Sequence, residues 1–377
     1  MMIFTGKISN SFSTKLNLVR GFAALLVTIS HLRGGSFESF NLLEISSQNS
    51  INFVLFFFTR LGHEAVIIFF VLSGYLVGGA ILSEWAKGNP DWTKYLVNRI
   101  TRMWTVLLPA LVIGALFDFI TLSLNPATPG ATNFSFASFI GNVFFLQTIT
   151  VPTFGTNGPL WSLANEFWYY LLWPVMLLLL GLTYRPVFKW MAVVLFLAIC
   201  YLISPGILKL FPLWIGGALI RMIKEHKLWR SPWYIVFSYL FILGALGFSN
   251  IVSNTGGEYV LGLAVCLLIL GWQYGKEVNV QPTLTKLAHF FSEFSFSLYA
   301  VHYFFMFLLF ELLKKYAGIP IRLTHAGIIQ WIGFACIVLI TYAWAFTFYW
   351  FTERHTSKLR KVILKTIRGE IKVKPER

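Results

Sequence analysis

Apolar runs close to 20 residues long recur along the whole of this 377-residue chain, and no other feature constrains its fold as much. A helix needs about 20 residues to cross the hydrocarbon core of a bilayer. Lipid offers backbone N–H and C=O groups no partner, so such runs must satisfy them internally, as helices do. Composition agrees, because 57% of residues are hydrophobic and only 12% are charged, against about 25% charged in soluble domains. The chain therefore reads as an all-α, polytopic membrane helix bundle with about ten transmembrane helices. These fall at about 16–32, 64–82, 103–122, 160–180, 188–203, 207–220, 233–248, 259–272, 289–313 and 327–350. Residues 51–59 are too short to span and read as a re-entrant or interfacial segment.

A formal charge of +15 raises the question of a nucleic-acid partner, but the basic residues stand between apolar runs and form no basic domain. Their distribution carries topology instead. Alternating the sides of ten spans, with the N-terminus inside, puts 24 Lys and Arg in the cytoplasm and 6 outside, as expected when basic loops are retained. Both termini are then cytoplasmic. Residues 353–377 form a basic tail suited either to anionic headgroups or simply to fixing topology. Residues 123–158, without Lys or Arg, form an outer loop long enough to shape a substrate mouth. The first run contains Arg20 and His31 and precedes no small-residue cleavage site, so it reads as a retained span. Cys200, Cys266 and Cys336 lie in apolar runs at no metal-ligand spacing and read as core residues.

Ionisable side chains inside apolar helices are costly and mark cavities or partners. Arg20 and His31 are eleven residues apart, three helical turns and roughly 16 Å, so they face the same way at different depths. A snorkelling Arg and a satisfied core His are the structural alternatives. The expectation is one cavity with Arg20 at its floor and His31 higher up. Arg99 and Arg102, three apart, share a helix face; paired guanidinium groups suit phosphate oxygens, while topology anchoring is the competing account. Ser73 is followed by Gly74, and Gly78 stands four residues on, a spacing for close helix approach. Ser162 and Glu166 share a side of the fourth helix, and a buried Glu166 needs a donor such as a His or Arg elsewhere. Ser295, Tyr299 and His302 form a polar stripe that either lines the same cavity or cross-links helices. His63 and Glu64 read as a pair at the outer membrane edge.

Taken in order, these pieces resemble the acyltransferase-3 family of membrane acyltransferases, which modify carbohydrate and other acceptors. The matching residues are Arg20 with His31, Phe69-Phe70-Val71-Leu72-Ser73-Gly74-Tyr75, Arg99-Ile100-Thr101-Arg102, Leu160-Trp161-Ser162-Leu163 with Glu166, and Ser295 to His302. Ile67 stands where many members have Asp, no Pro follows Arg102, and Glu353-Arg354-His355 replaces Glu-Arg-Pro. The resemblance implies a membrane acyltransferase domain over residues 1–352, in the stand-alone form without a fused SGNH-type domain. It implies transfer of an acyl group, commonly acetyl, from cytoplasmic acetyl-CoA to a hydroxyl of an extracytoplasmic or lipid-linked glycan, at a bacterial inner membrane and without a metal. On that reading His31, Glu166 and Arg20 are catalytic, with His31 as general base and His302 as the rival base. Arg99, Arg102 and Arg20 hold the CoA phosphates, and Ser73, Tyr75, Trp161, Ser162, Tyr299 and His302 serve the substrate. A multi-span solute or glycan-precursor transporter is the alternative from another class.

Overall fold

The computed structural model of the protein describes residues 9–88, 90–182, 186–252, 255–275 and 280–369. Lys7, Arg185, Lys276, Lys372, Lys374 and Arg377, all counted above on the cytoplasmic side, lie outside the described residues. Among the described residues fifteen α-helices follow one another: α1 Asn10–Ser36, α2 Ser50–Thr59, α3 Gly62–Ser73, α4 Gly79–Trp85, α5 Trp92–Leu124, α6 Phe136–Val143, α7 Leu160–Leu177, α8 Pro186–Leu202, α9 Pro205–Leu219, α10 Pro232–Ile251, α11 Thr255–Tyr274, α12 Pro282–Glu293, α13 Ser295–Ala317, α14 Ile328–Phe351 and α15 Thr356–Ile367. Among the described residues there is no β-strand, only two isolated bridges. The architecture is an all-α polytopic bundle.

Each of the ten expected segments is helical, and among the described residues eight helical stretches are long and apolar enough to span. The 17 residues of α8 and the 15 of α9 are shorter, giving about 22 to 26 Å of rise. Residues 289–313, expected as one helix, are broken at Phe294 (φ −101°, ψ 12°), where α12 hands over to α13. Local chemistry sets the starts and stops. Ser9 and Asp91 cap α1 and α5 by accepting from the N–H groups of Phe12 and Lys94. Proline opens α9, α10 and α12, and Gly318 ends α13 in the left-handed conformation at φ 65°.

The centre of the bundle is α3, in which nine of twelve residues are buried, whereas α14 buries four of its 24 and turns most of its surface outward. Between α3 and α4 the chain makes a π-helical turn over Gly74–Gly78, a departure that recurs at functional sites. It sits where two glycines interlock. A Cβ on Gly74 would lie 1.8 Å from the carbonyl oxygen of Trp214, and one on Gly217 would lie 2.0 Å from that of Val71. The closeness of α3 to α9 thus depends on both glycines. The 33 residues of α5 rise about 50 Å, more than the roughly 30 Å hydrocarbon thickness. The helix thus has turns to spare beyond one crossing, and its first turns bear Lys94, Arg99 and Arg102.

Candidate active site

Among the described residues Arg20 and His31, expected in one cavity, line two different ones along α1. The inner one encloses about 910 Å³ including its mouth, and is walled by α1, α3, α5, α7 and α13. It gathers Arg20, Ser73, Arg99, Arg102, Ser162, Glu166, Tyr170, Ser295 and Tyr299 from segments scattered over 280 residues. A smaller neighbouring cleft past Asp91 and Lys94 shares Leu76, Val77 and Arg99 with it. The outer one, about 1,010 Å³ including its mouth, takes in His31, Asn125, Tyr303, Glu311 and Arg322.

In the inner cavity hydroxyl groups, not the expected His or Arg, satisfy Glu166. Its Oε1 accepts from Ser73 Oγ at 2.5 Å and from Tyr170 OH at 2.5 Å. Both are hydroxyl–carboxylate bonds, the short charge-assisted kind. Ser73 Oγ in turn accepts from Trp214 Nε1 at 3.1 Å, so α9 fixes its rotamer. On the opposite wall Tyr299 OH donates to the carbonyl of Pro159 at 2.6 Å. Its single hydrogen is thereby used, so Ser162 Oγ, 2.5 Å away, is the donor to Tyr299.

The guanidinium groups are held more loosely. Arg20 donates one bond to the carbonyl of Ser292 at 2.7 Å. Arg99 and Arg102 lie over the rings of Tyr170 and Phe296, at 5.9 and 5.8 Å. Among the described residues none of the three forms an ion pair, and the buried Nε atoms of Arg20 and Arg99 have no acceptor. Glu353 is nearby, influencing Arg20 and Arg102 electrostatically, but its Oε2 accepts from both the N–H and the hydroxyl of Ser297, at 3.0 and 2.7 Å.

In the outer cavity the His31 ring lies 5.3 Å from His302 and edge-on to Tyr303 at 4.7 Å. His302 is fully buried, with Nδ1 at 3.0 and 2.9 Å from the carbonyl oxygens of Leu298 and Tyr299. Carbonyls only accept, so Nδ1 carries the hydrogen and Nε2 of the neutral ring is a bare acceptor without a partner. Tyr299 lines the inner cavity and its ring is 5.9 Å from that of His302, which itself lines neither cavity. Glu311 accepts from Asn125 Nδ2 at 2.8 Å and so ties α13 to the outer loop. That loop is anchored in turn by Asp118, whose oxygens accept from the N–H and hydroxyl of Thr156 at 2.9 and 2.6 Å.

These placements accord with a family likeness over nearly the whole chain. The family model described as an acyltransferase domain, that of the acyltransferase-3 group, matches residues 13–350. The chain belongs to this acyltransferase family. Over 125 residues it is 32% identical to the peptidoglycan O-acetyltransferase OatA of Listeria monocytogenes, which covers 31% of this chain and 20% of that one. It is 26% identical over 281 residues to the acyltransferase MdmB of Streptomyces mycarofaciens, 72% of this chain and 65% of that one. A putative peptidoglycan O-acetyltransferase of Bacillus subtilis, YrhL, is 29% identical over 157 residues, 39% of this chain and 24% of its own. The chain thus spans under two thirds of the length of each of these relatives. No solved structure matches.

Within the acyltransferase domain some expected residues stand apart from both cavities. Tyr75, two positions from Ser73, points to the other side of its helix, donates to Gln273 Oε1 at 2.9 Å and carries Arg221 over its ring at 4.8 Å. Trp161 stacks on His63 at 6.5 Å. His63 pairs with Glu258 at 2.9 Å, not with its neighbour Glu64, which is buried. Sequence reading passed over Tyr170, although its spacing of four from Glu166 was a usable signal. It also treated Glu353 only as part of a motif departure, although a carboxylate closing the last apolar run was visible.

Proposed function

We propose that this domain is a membrane O-acyltransferase that carries an acyl group, most simply acetyl, from acyl-CoA to a hydroxyl of an extracytoplasmic or lipid-linked glycan. Supporting it above all is the placement of an arginine-rich cavity and a histidine-bearing cavity at different levels of one helix, α1. The donor phosphates meet Arg99, Arg102 and Arg20 at the inner surface, and the uncharged pantetheine arm runs inward past Ser73 and Glu166 towards Tyr299. The acceptor hydroxyl enters from the outer cavity. His31 removes its proton as its oxygen attacks the thioester carbonyl; the carbon–sulfur bond breaks, and the thiolate regains a proton from the imidazolium. Glu166, engaged by Ser73 and Tyr170, orders the donor wall and does not orient His31. The relatives named as peptidoglycan O-acetyltransferases support a glycan acceptor and the acetyl group. The setting on this reading is a bacterial inner membrane with both termini cytoplasmic, in contact with anionic lipid.

The test is mass spectrometry of surface glycans from cells with and without the gene, paired with purified protein given isotopically labelled acetyl-CoA. Labelled acetyl on glycan only when the protein is present is the expected result. Glycans of unchanged mass, with labelled donor left intact, would sink the reading in favour of transport.

A further inference from the structure

The amphipathic helix α15 turns an arginine inward. Along it Thr356 is buried and Arg360, Ile363 and Leu364 are half-buried, at positions i, i+4, i+7 and i+8, while Lys358, Lys361 and Lys365 are exposed. That spacing is one helix face, and the face packs on α5. An ion pair between Arg368 and Asp91 at 2.7 Å sets the register. Arg360 precedes Arg368 by eight residues and Arg99 follows Asp91 by eight, so in antiparallel helices the two arginines meet at one level, about 12 Å along from the ion pair. The charges of Arg99 and Arg102 accordingly act on Arg360. Like Arg20 and Arg99, Arg360 has a buried Nε without an acceptor. Among the described residues none of the four guanidinium groups has a carboxylate within ion-pair distance. The carboxylates that act on this region at longer range have closer partners of their own, Glu166 and Glu353 in hydroxyls and Glu293 in His289. Four guanidinium groups thus outnumber the carboxylates near them, and the excess positive charge repels unless an anion joins it.

We infer that Arg360 is the fourth guanidinium of an anion site with Arg20, Arg99 and Arg102, and that α15 seats it against the phosphate-bearing end of the acyl donor. The inference rests on the donor being acyl-CoA, as proposed above. Its chemistry is recognition of phosphate esters, which a nucleotide-bearing donor and an anionic lipid headgroup both offer.

Full-length protein in neutral detergent is compared as wild type, Arg360→Gln, Arg360→Lys and Lys361→Gln, the last removing an equal charge from the exposed face. Calorimetry reads affinity for CoA and for short-chain phosphatidylglycerol, and melting temperature is recorded without ligand. Arg360→Gln is expected to weaken CoA about tenfold, Arg360→Lys to recover part of that, and Lys361→Gln to change it by no more than about twofold. Without ligand Arg360→Gln should melt no lower than wild type, because it relieves repulsion, whereas a purely structural Arg360 would show a drop. Equal CoA affinity in Arg360→Gln and wild type overturns the inference and leaves the donor reading intact. Wild type that ignores CoA but binds phosphatidylglycerol through Arg360 overturns the donor reading and gives the site to lipid. Wild type that binds neither overturns both.

Discussion

Nδ1 of His302 is committed to two backbone carbonyls, which leaves its Nε2 bare and fixed in a fully buried layer. His31, one ring away, carries no such restraint and lines the outer cavity. On the proposed mechanism, His31 is therefore the imidazole that an incoming hydroxyl would reach. His31→Gln should lower transfer by about 100 to 10,000-fold, the usual worth of general-base help. CoA binding should persist, because the guanidinium groups occupy the other cavity. His302→Ala is the comparison: if it abolishes transfer at equal expression while His31→Gln keeps more than about a tenth, the base belongs to α13. At the same scale Glu166 shows how burial chooses partners. A carboxylate flanked by Ser73 and Tyr170 needs no distant cation, and leaves the nearby arginines free for another anion.

Among the elements, the packing of α3 and its π-helical turn on α9 is the most exacting. Carbonyl oxygens of Trp214 and Val71 occupy the places where side chains on Gly74 and Gly217 would begin, and backbone cannot yield as a flexible side chain can. This seam also aims Trp214 Nε1 at Ser73, so it bears on the inner cavity as well as on stability. Gly74→Ala should force α3 from α9 at a cost of about 1 to 3 kcal/mol or more, read as a melting temperature several degrees lower in detergent. Gly333→Ala in α14, where a Cβ meets nothing within 4 Å, should leave stability unchanged or slightly raised. Equal melting of Gly74→Ala and wild type would show that the seam opens freely.

For the molecule as a whole, the proposal needs the guanidinium cavity and the His31 cavity to open on opposite membrane sides. Single cysteines placed at Lys361 on α15 and at Phe136 in the outer loop, both exposed, test this with a membrane-impermeant thiol reagent on intact cells. Phe136→Cys should label and Lys361→Cys should not until the membrane is breached; the reverse pattern would invert the bundle. Much of this design is legible in one dimension. Apolar run length shows which stretches are helical, because lipid permits few other backbone solutions, though not where they break, and the identity and spacing of Arg20, His31, Arg99, Arg102 and Glu166 mark where charge enters the apolar runs. Helical period puts Arg20 and His31 on one side of α1, but it cannot say what fills the space between them. That was decided by packing, which sets Arg20 and His31 on different cavities. Likewise only packing brought Ser73 and Tyr170 to Glu166, paired His63 with Glu258 across 195 residues, and folded Arg360 back onto α5. Periodicity is a property of each helix alone, whereas a partner for a buried polar group comes from whichever helix lies beside it, and that is settled when the whole bundle closes.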